Sequence, residues 1–378
     1  MARVLFCGQS SYPRQDSATA NRYRAIAEMT ADLGHEVIFV NRYPPLRPGE
    51  EIPVSQFEFI NVSGLIRSPS WLHRQMLRSV AMLRESIKIL QLARSGRIVA
   101  INVYSEFVWD AVFYHLMAKC LSVHCIFHAV EQRSKISNRG KLIWLNDVAG
   151  EMVIPRLFKR FAAISSSISD LIKSNNPHAE IVVIPPVCRF DAIARRPLIS
   201  RQRPYFLYCA SLAYEEVAWF VIESFLRTKR QDIDLILVLN GKLSDRIRDI
   251  CLSNDSIIVV SKLDYDVLIG MYKGALALLI PLRNTPQDCA RYPQKITEYL
   301  ASGRPIISCQ FGEIGRHFSH GVDALLAVDF DVERYAEMMI FAVDNTDELE
   351  KIAFRGHVLG RKIFDVASQR ENLKKLLA

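Results

Sequence analysis

The sequence lacks the marks of several protein classes. No uncharged apolar run reaches 18 residues, so no segment is predicted to span a bilayer. The amino terminus has the length of a buried strand and lacks the apolar region and cleavage site of a signal peptide. The eight cysteines form no C-x-x-C pair, which argues against zinc or redox motifs and favours small core residues in a reducing compartment.

Motifs for cofactors and metals are also missing. The loop after the first predicted strand, Gly8 to Ala18, contains no G-x-G-x-x-G, so a dinucleotide cofactor is not expected. Asp264-Tyr265-Asp266 matches D-x-D in letters only, because it stands at an apparent helix start, where acids are typical N-caps. We therefore expect no metal ion and no cofactor.

The net charge of +8 is unevenly distributed. Residues 1–190 carry 23 Lys and Arg against 15 Asp and Glu, whereas residues 191–378 are balanced. A basic first half indicates an anionic partner, either lipid head groups, a phosphorylated acceptor or nucleic acid. No recognisable nucleic-acid module is present, so nucleic acid is not expected.

A length of 378 residues predicts two domains, 1–190 and 191–378. Strand-like runs alternate with helical stretches in both halves, which predicts two parallel sheets covered on both faces. Residues 185–204, rich in proline and arginine, are predicted to link the domains. The predicted strands are 4–7, 36–40, 97–101, 123–129, 161–164 and 181–184, then 205–209, 234–239, 257–260, 275–281, 305–308 and 324–328.

The stretch from Arg291 to Pro305 contains a short helix with both ends marked. Pro293 suits a first helical turn, and Gly303 supplies the left-handed position that closes a helix. Lys295 and Glu298 lie three residues apart on one polar edge, near the carboxyl end of a strand, where α/β proteins bind phosphate-bearing ligands. The alternative interpretation is a solvated salt bridge.

This segment resembles the donor-site signature of glycosyltransferases of the GT-B fold, particularly the family-4 type, through Glu298-Tyr299-Leu300-Ala301-Ser302-Gly303-Arg304-Pro305. The resemblance implies two doubly wound, Rossmann-like domains that face across a cleft. The first would bind the acceptor and the second a nucleotide sugar, and the last helix, 366–377, could return to the first domain. In such enzymes a basic residue meets the diphosphate, and the glutamate holds the ribose hydroxyls.

The resemblance implies further donor contacts. Ser211 and Leu212 stand where the family's G-R/S-L turn meets the donor. Glu215 and Glu216 occupy the region where the family usually places a lysine, and the earlier glutamate of its E-x7-E pattern is replaced by Ala290. The cations that could compensate for the missing lysine are Lys242, which follows Gly241 in a further candidate donor turn, and Arg283, Arg291 and Lys295.

Two candidate catalytic residues, His128 and Glu131, lie at the carboxyl end of a first-domain strand. Both residue types can act as a general base when their environment tunes them. By resemblance, family-4 enzymes often carry a histidine near His128, and membrane-associated glucuronosyltransferases of xanthan-type assembly carry a catalytic acid that aligns with Glu131. The alternative interpretation is a packed histidine and a capping glutamate.

The stretch 71–96 is the most basic helical segment. Leu72, Met76, Val80, Leu83, Ile87 and Leu90 are predicted to form its core stripe. Trp71, Arg74, Arg78 and Lys88 are then the predicted membrane contacts. An ordinary sheet-covering helix with a solvated face is the alternative.

Together these features predict a cytoplasmic glycosyltransferase, peripheral on the inner face of the membrane. It would transfer a sugar from a nucleotide diphosphate to a lipid-linked or glycan acceptor in bacterial surface-polysaccharide assembly. The helix signature favours retention of anomeric configuration, whereas Glu131 allows inversion. A non-catalytic GT-B protein that binds sugar nucleotide or a partner glycosyltransferase, and a sugar-nucleotide epimerase, are the alternative functions.

Overall fold

The structure is a computed structural model, and most of the chain is described in it. The side chains of residues 71–75 and 79 lie outside that description. The described residues are 2–10, 12–13, 18–44, 46, 49–51, 54–64, 70–136, 140–211, 215–241, 243–261 and 263–378.

The chain forms two compact units. The first comprises residues 1–187 and 369–378, and the second comprises residues 188–368. The first unit thus includes most of the last helix, where Arg370 pairs with Asp32 and the backbone oxygen of Leu376 accepts a hydrogen bond from Arg160 at 2.9 Å.

The first unit is built on a seven-stranded parallel sheet with the order β3-β2-β1-β4-β5-β6-β7. Its strands are apolar because helices cover the sheet. They are β1 (Arg3–Gly8), β2 (Glu36–Asn41), β3 (Glu58–Asn61), β4 (Ile98–Tyr104), β5 (His124–Ala129), β6 (Arg160–Ala163) and β7 (Glu180–Val183). The helices are α1 (Ala18–Asp32), α2 (Trp71–Ser95), α3 (Val108–Leu121), α4 (Lys141–Leu157) and α5 (Ser166–Asn175).

The second unit has a six-stranded parallel sheet with the order β10-β9-β8-β11-β12-β13. Leu235 and Leu237 of its second strand pack on one face of the sheet, and Ile236 and Val238 pack on the other, so both faces are buried. The strands are β8 (Tyr205–Ser211), β9 (Asp234–Asn240), β10 (Ile257–Val260), β11 (Ala277–Leu279), β12 (Ile306–Cys309) and β13 (Leu325–Ala327). The helices are α6 (Phe190–Ala194), α7 (Glu215–Arg227), α8 (Asp245–Ser253), α9 (Tyr265–Gly274), α10 (Pro286–Ala290), α11 (Lys295–Ala301), α12 (Gly312–His317), α13 (Val332–Asp344), α14 (Thr346–Phe364) and α15 (Val366–Leu377), which ends in the first unit.

The predicted fold class of two doubly wound, Rossmann-like domains is confirmed, and every predicted strand exists. The sequence missed β3, a partly exposed edge strand of only four residues with polar residues, Glu58 and Asn61, at its two ends. The predicted linker is only partly correct, because α6 lies within it. Phe190 and Ile193 of α6 belong to the core of the second unit, so the chain changes units at residues 187 and 188.

The predicted core stripe of α2 is wrong. The side chain of Leu72 lies outside the described residues. The helix buries Ala81, Glu85, Ile89 and Leu92, whereas the other residues of the predicted stripe are all exposed, namely Met76, Val80, Leu83, Ile87 and Leu90. The reason is a buried ion pair between Glu85 and Arg42, 2.7 Å apart, with both side chains wholly buried. Because the buried face of α2 contains a charged residue, hydrophobic periodicity favours the exposed apolar stripe as the predicted core face.

The eight cysteines are free. Among the described residues, no helix combines the length and the apolar character that crossing a bilayer requires.

Candidate functional site

In the first unit, candidate residues gather where β4 and β5 end. Gly8 ends the neighbouring β1 with φ of +101°, and a Cβ placed there would lie 2.0 Å from the backbone oxygen of Tyr104. Only glycine therefore permits this close approach of β1 to β4. Because parallel strands end at one edge, Tyr104 and His128 meet there and line one cavity.

His128 is buried beneath this edge, with 1% of its surface exposed. Its Nε2 lies 2.8 Å from Oδ1 of Asn102, and the Tyr23 ring packs edge-on against the imidazole. Since an amide oxygen accepts, Nε2 donates, and Nδ1 is a buried acceptor without a hydrogen-bond partner. Burial, with a smaller contribution from the charge of Arg22, lowers the pKa of His128 well below its usual value, so the imidazole is neutral.

Glu131 follows β5 and lines the same cavity, whose volume is about 80 Å³. The cavity walls are mostly apolar, from β5, β6, α4 and α5, and its polar members include Glu106 and Arg133. Arg133 pairs with Glu106 at 2.8 Å and with Asp147 at 3.2 Å. The two predicted catalytic residues therefore do lie together, one buried and neutral, the other half-buried at an apolar cavity.

In the second unit, α11 carries the predicted donor ligands. Ile296, Tyr299 and Leu300 are buried as the spacing predicts, and Gly303 has φ of +74° after the helix end. The helix begins at Lys295, two residues later than Pro293 indicates, but the backbone N–H of Ile296 donates to the Pro293 oxygen at 3.1 Å.

Lys295 and Glu298 lie half-buried beside the carboxyl end of β8. The Tyr299 hydroxyl accepts a hydrogen bond from the backbone N–H of Cys209 at 3.2 Å, which ties α11 to that strand. The Tyr265 hydroxyl donates to Glu298 at 3.1 Å and orients its carboxylate. A cation and an oriented carboxylate thus stand at the ligand-binding edge of a parallel sheet.

Arg283 and Arg291 share one buried carboxylate, that of Asp288. Arg283 Nε lies 2.8 Å from it and Arg291 Nη2 lies 2.7 Å from it. Burial alone would raise the pKa of Asp288, but the hydrogen bond from Arg283 and the charge of Arg291 outweigh it and lower that pKa. An ionised Asp288 therefore holds both guanidinium groups in place, a role that the sequence analysis did not assign.

The remaining donor candidates fall into two sets. Ser211 is paired in register with Asn240, so Ser211 and Gly241 sit side by side at the carboxyl ends of β8 and β9. Both are exposed, and Gly241 has φ of +136°. Leu212 and Lys242 lie outside the described residues.

The predicted membrane contacts stay a prediction. The side chains of Trp71 and Arg74 lie outside the described residues, and Lys88 is half-buried. The Arg78 guanidinium carbon lies 5.8 Å from the ring centroid of Tyr43, so this cation packs against its own unit.

The D-x-D letters have structural roles. Asp264 is the N-cap residue of α9 but makes no side-chain capping bond, contrary to the capping prediction, and Asp266 pairs with Arg196. In the described part of the chain, no cluster of three or more His, Cys, Asp or Glu is arranged to hold a metal ion.

Comparisons with known proteins agree with this architecture. Residues 203–345 match the family model described as Glycosyl transferases group 1. The chain resembles sucrose-phosphate synthase from Thermosynechococcus elongatus with a TM-score of 0.76 and 14% identity, over 100% of this chain and 98% of that one. It resembles HepE from Anabaena in complex with UDP-glucose with a TM-score of 0.68 and 10% identity, over 100% and 99% of the two chains.

A third similar structure is the lipopolysaccharide outer core galactosyltransferase WaaB, with a TM-score of 0.66, 14% identity and coverage of 99% and 98%. No curated protein sequence matches the chain. At such low identities these likenesses show the fold, which is that of the GT-B glycosyltransferases. The resemblance of the α11 segment to GT-B glycosyltransferases is confirmed by the family match over residues 203–345.

Proposed function

We propose that this protein is a glycosyltransferase that moves a sugar from a nucleotide diphosphate to a lipid-linked or glycan acceptor. The observation that carries the proposal is α11, where Lys295 and an oriented Glu298 stand at the ligand-binding edge of the second sheet. The match of residues 203–345 to the group 1 family supports it.

The proposed donor contacts divide by chemistry. Glu298 would accept hydrogen bonds from the ribose hydroxyls, and Lys295 would meet the diphosphate. The Asp288-held pair of Arg283 and Arg291 would supply further cations to the leaving diphosphate, so that no metal ion is required. Ser211 and Gly241 would present backbone and hydroxyl groups from the adjoining strand ends.

The first unit would receive the acceptor. Glu131 would act as the general base and His128 would position the acceptor, both at the cavity described above. The setting we propose is bacterial surface-polysaccharide assembly at the inner face of the membrane. WaaB, a lipopolysaccharide galactosyltransferase of similar fold, supports that setting.

A non-catalytic, sugar-nucleotide-binding GT-B protein is the second candidate. It is favoured by Asp288 and Glu216, which lie 2.8 Å and 3.9 Å from Arg283 and offset its charge. A panel of nucleotide sugars in a thermal-shift assay, followed by nucleotide release with membrane extract, separates the candidates. Binding with turnover supports the transferase, whereas binding without turnover supports the second candidate.

Replacing Glu298 with Ala should weaken donor binding by about 1–3 kcal/mol, because the ribose loses hydrogen bonds to a charged group. Isothermal titration with the best nucleotide sugar of the panel measures this loss. Tyr265→Phe is the matched control, since it removes the orienting hydroxyl but keeps the carboxylate, and it should cost less. Unchanged affinity in a folded Glu298→Ala protein would remove this residue from the donor site.

Replacing Lys295 with Ala should weaken nucleoside diphosphate binding about tenfold or more, because a phosphate loses a charge-assisted contact. Binding of the matching nucleoside should hardly change. Lys351→Ala serves as the control, since Lys351 is an exposed lysine paired with Glu348 on α14. Equal losses for nucleoside and diphosphate would indicate that Lys295 acts through structure alone.

A further inference from the structure

The outward face of α2 is apolar. Met76, Val80, Leu83, Ile87 and Leu90 are between 39% and 73% exposed and follow one another at spacings of four and three residues. That spacing places all five on one side of the helix, opposite the buried Ala81, Glu85 and Leu92. An apolar stripe of this length on a solvent-facing surface marks an interaction site.

The apolar surface continues on the neighbouring helices. α2 packs on α3, and α3 packs on α4. Their connections step along the sheet in one direction, so right-handed crossovers put them on the same face. Trp109 in the first turn of α3 is exposed, and so are Leu142 and Leu145 of α4, on the side of that helix opposite the buried Asp147 and Gly150.

The acids of these three helices all have inward or local partners. Glu85 and Asp110 both pair with the buried Arg42. Asp147 pairs with Arg133 at 3.2 Å, and Glu151 accepts hydrogen bonds from Ser134 at 2.7 Å and 2.9 Å. The helices contain no other acid.

Several basic residues of the same three helices, in contrast, are exposed. Among the described side chains, the exposed basic residues of the three helices are Arg84, Arg94, Lys119, Lys141 and Arg156. The outer surface of α2, α3 and α4 therefore combines large apolar side chains with positive charge, while its negative charge is paired within the unit. A surface of this kind complements an anionic lipid interface.

A second copy of the chain fits this surface poorly. A two-fold contact would oppose the same face of each copy and bring like charges together. Heptad spacing can pair helices, but the residues that flank the stripe offer Arg84 and no acid to pair with it.

We propose that the outer face of α2, α3 and α4 is an anionic-lipid-binding surface. This inference rests on the proposed function, and it specifies where the bilayer lies. The first turns of α3 and α4 bring that surface to the cavity lined by Glu131, since Asn146 of α4 donates to the Glu106 oxygen at 2.7 Å and accepts from the Val108 N–H at 3.3 Å. A lipid-linked acceptor would then be presented from the bilayer to the cavity.

The test is co-sedimentation of the full-length protein with vesicles of phosphatidylglycerol or phosphatidylcholine. Wild type should bind phosphatidylglycerol more tightly, and salt should weaken that binding. The double variant Leu83→Ser with Ile87→Ser should bind at least about tenfold more weakly, because two exposed apolar side chains no longer enter the interface. Arg84→Gln should cost about fivefold on phosphatidylglycerol alone.

The matched control is Phe354→Ser with Val358→Ser. Phe354 and Val358 are 69% and 52% exposed on α14 of the second unit, at the same four-residue spacing as Leu83 and Ile87, which are 65% and 49% exposed. Lipid binding should survive in this control. Equal losses of lipid binding in both double variants would overturn the proposed surface, because they would indicate nonspecific hydrophobic binding.

Two further measurements separate the possible failures. Gel filtration of wild type and the Leu83→Ser, Ile87→Ser variant tests for a dimer, and a shift from dimer to monomer with unchanged vesicle binding would overturn the proposal. Thermal shifts with nucleotide sugars test the donor site. Lipid binding without any donor binding would contradict the proposed function but would still support the lipid-binding surface. Donor binding without lipid binding would support the proposed function and overturn the lipid-binding surface.

Discussion

Replacing Glu131 with Gln is expected to lower turnover by about 10²–10⁴-fold, the range that general-base catalysis contributes. Donor affinity should stay nearly unchanged, because the proposed donor contacts lie in the second unit. The amide keeps the shape of the carboxylate but cannot take the proton of the acceptor hydroxyl. Release of nucleoside diphosphate during incubation with donor and membrane extract measures the effect.

The surroundings of His128 support Glu131 as the base. The imidazole is buried, its Nε2 is bound to Asn102, and its pKa is depressed, so it holds a proton weakly at neutral pH. His128→Ala should therefore cost less in turnover than Glu131→Gln and act through the position of the acceptor. Thermal denaturation of both variants verifies that they fold.

Glu106→Gln is the control for the cavity. Glu106 lines the same cavity but pairs with Arg133 at 2.8 Å, so its removal should change turnover far less. In a retaining mechanism His128→Ala should lower turnover more than Glu131→Gln does. The anomer of the product, determined by NMR, should then match that of the donor. Near-wild-type turnover in Glu131→Gln would exclude it as the base.

Replacing Arg42 with Met should lower the free energy of unfolding by about 3–5 kcal/mol, the cost of leaving buried charge without its partner. Arg42 is wholly buried and pairs with Glu85 and Asp110. Its guanidinium carbon also lies 4.7 Å from the ring centroid of Phe113 and 5.1 Å from that of Trp109. Urea denaturation of wild type and variant measures the loss.

Removing the two acids as well should restore part of the stability. In the triple variant with Glu85→Gln and Asp110→Asn, no uncompensated charge remains buried, and Tyr114 and Ser105 can still donate to the amides. A triple variant no more stable than Arg42→Met would show that lost packing, and not charge, explains the cost.

The stability of this cluster should also depend on pH. Burial, opposed by Arg42, raises the pKa of Glu85 from its ordinary value of 4.5 to about 7. The folded state therefore holds one more proton than the unfolded state between these values, so the contribution of Glu85 falls as pH rises through that window. Glu85→Gln should flatten this part of the pH profile of the unfolding free energy.

Much of the fold follows from local sequence. Most strands of both units are apolar runs of four to seven residues bounded by turns, and burial on both faces makes such runs recognisable from hydrophobicity alone. The α11 segment can be predicted equally well from local sequence, because Pro293 and Gly303 mark its ends. Its buried side is marked by the spacing of Ile296, Tyr299 and Leu300. The spacing of Lys295 and Glu298 likewise predicts that they share one edge of the helix.

Other features depended on contacts between distant parts of the chain. Arg42 and Glu85 are 43 positions apart, and only their pairing shows that α2 turns a charged residue inward and its apolar stripe outward. Asn102 holds His128 from a neighbouring strand, so the depressed pKa of that histidine cannot be read from its own segment.

The sequence by itself thus determined the parallel sheets, the two-domain organisation and the polar edge of α11, because these depend on hydrophobic periodicity and on residues within a few turns of each other. The tertiary structure alone decided which face of α2 is buried, which carboxylate holds Arg283 and Arg291, and which base candidate is neutral. Those outcomes depend on burial and on charge partners, and both are set by packing between segments that are remote in sequence.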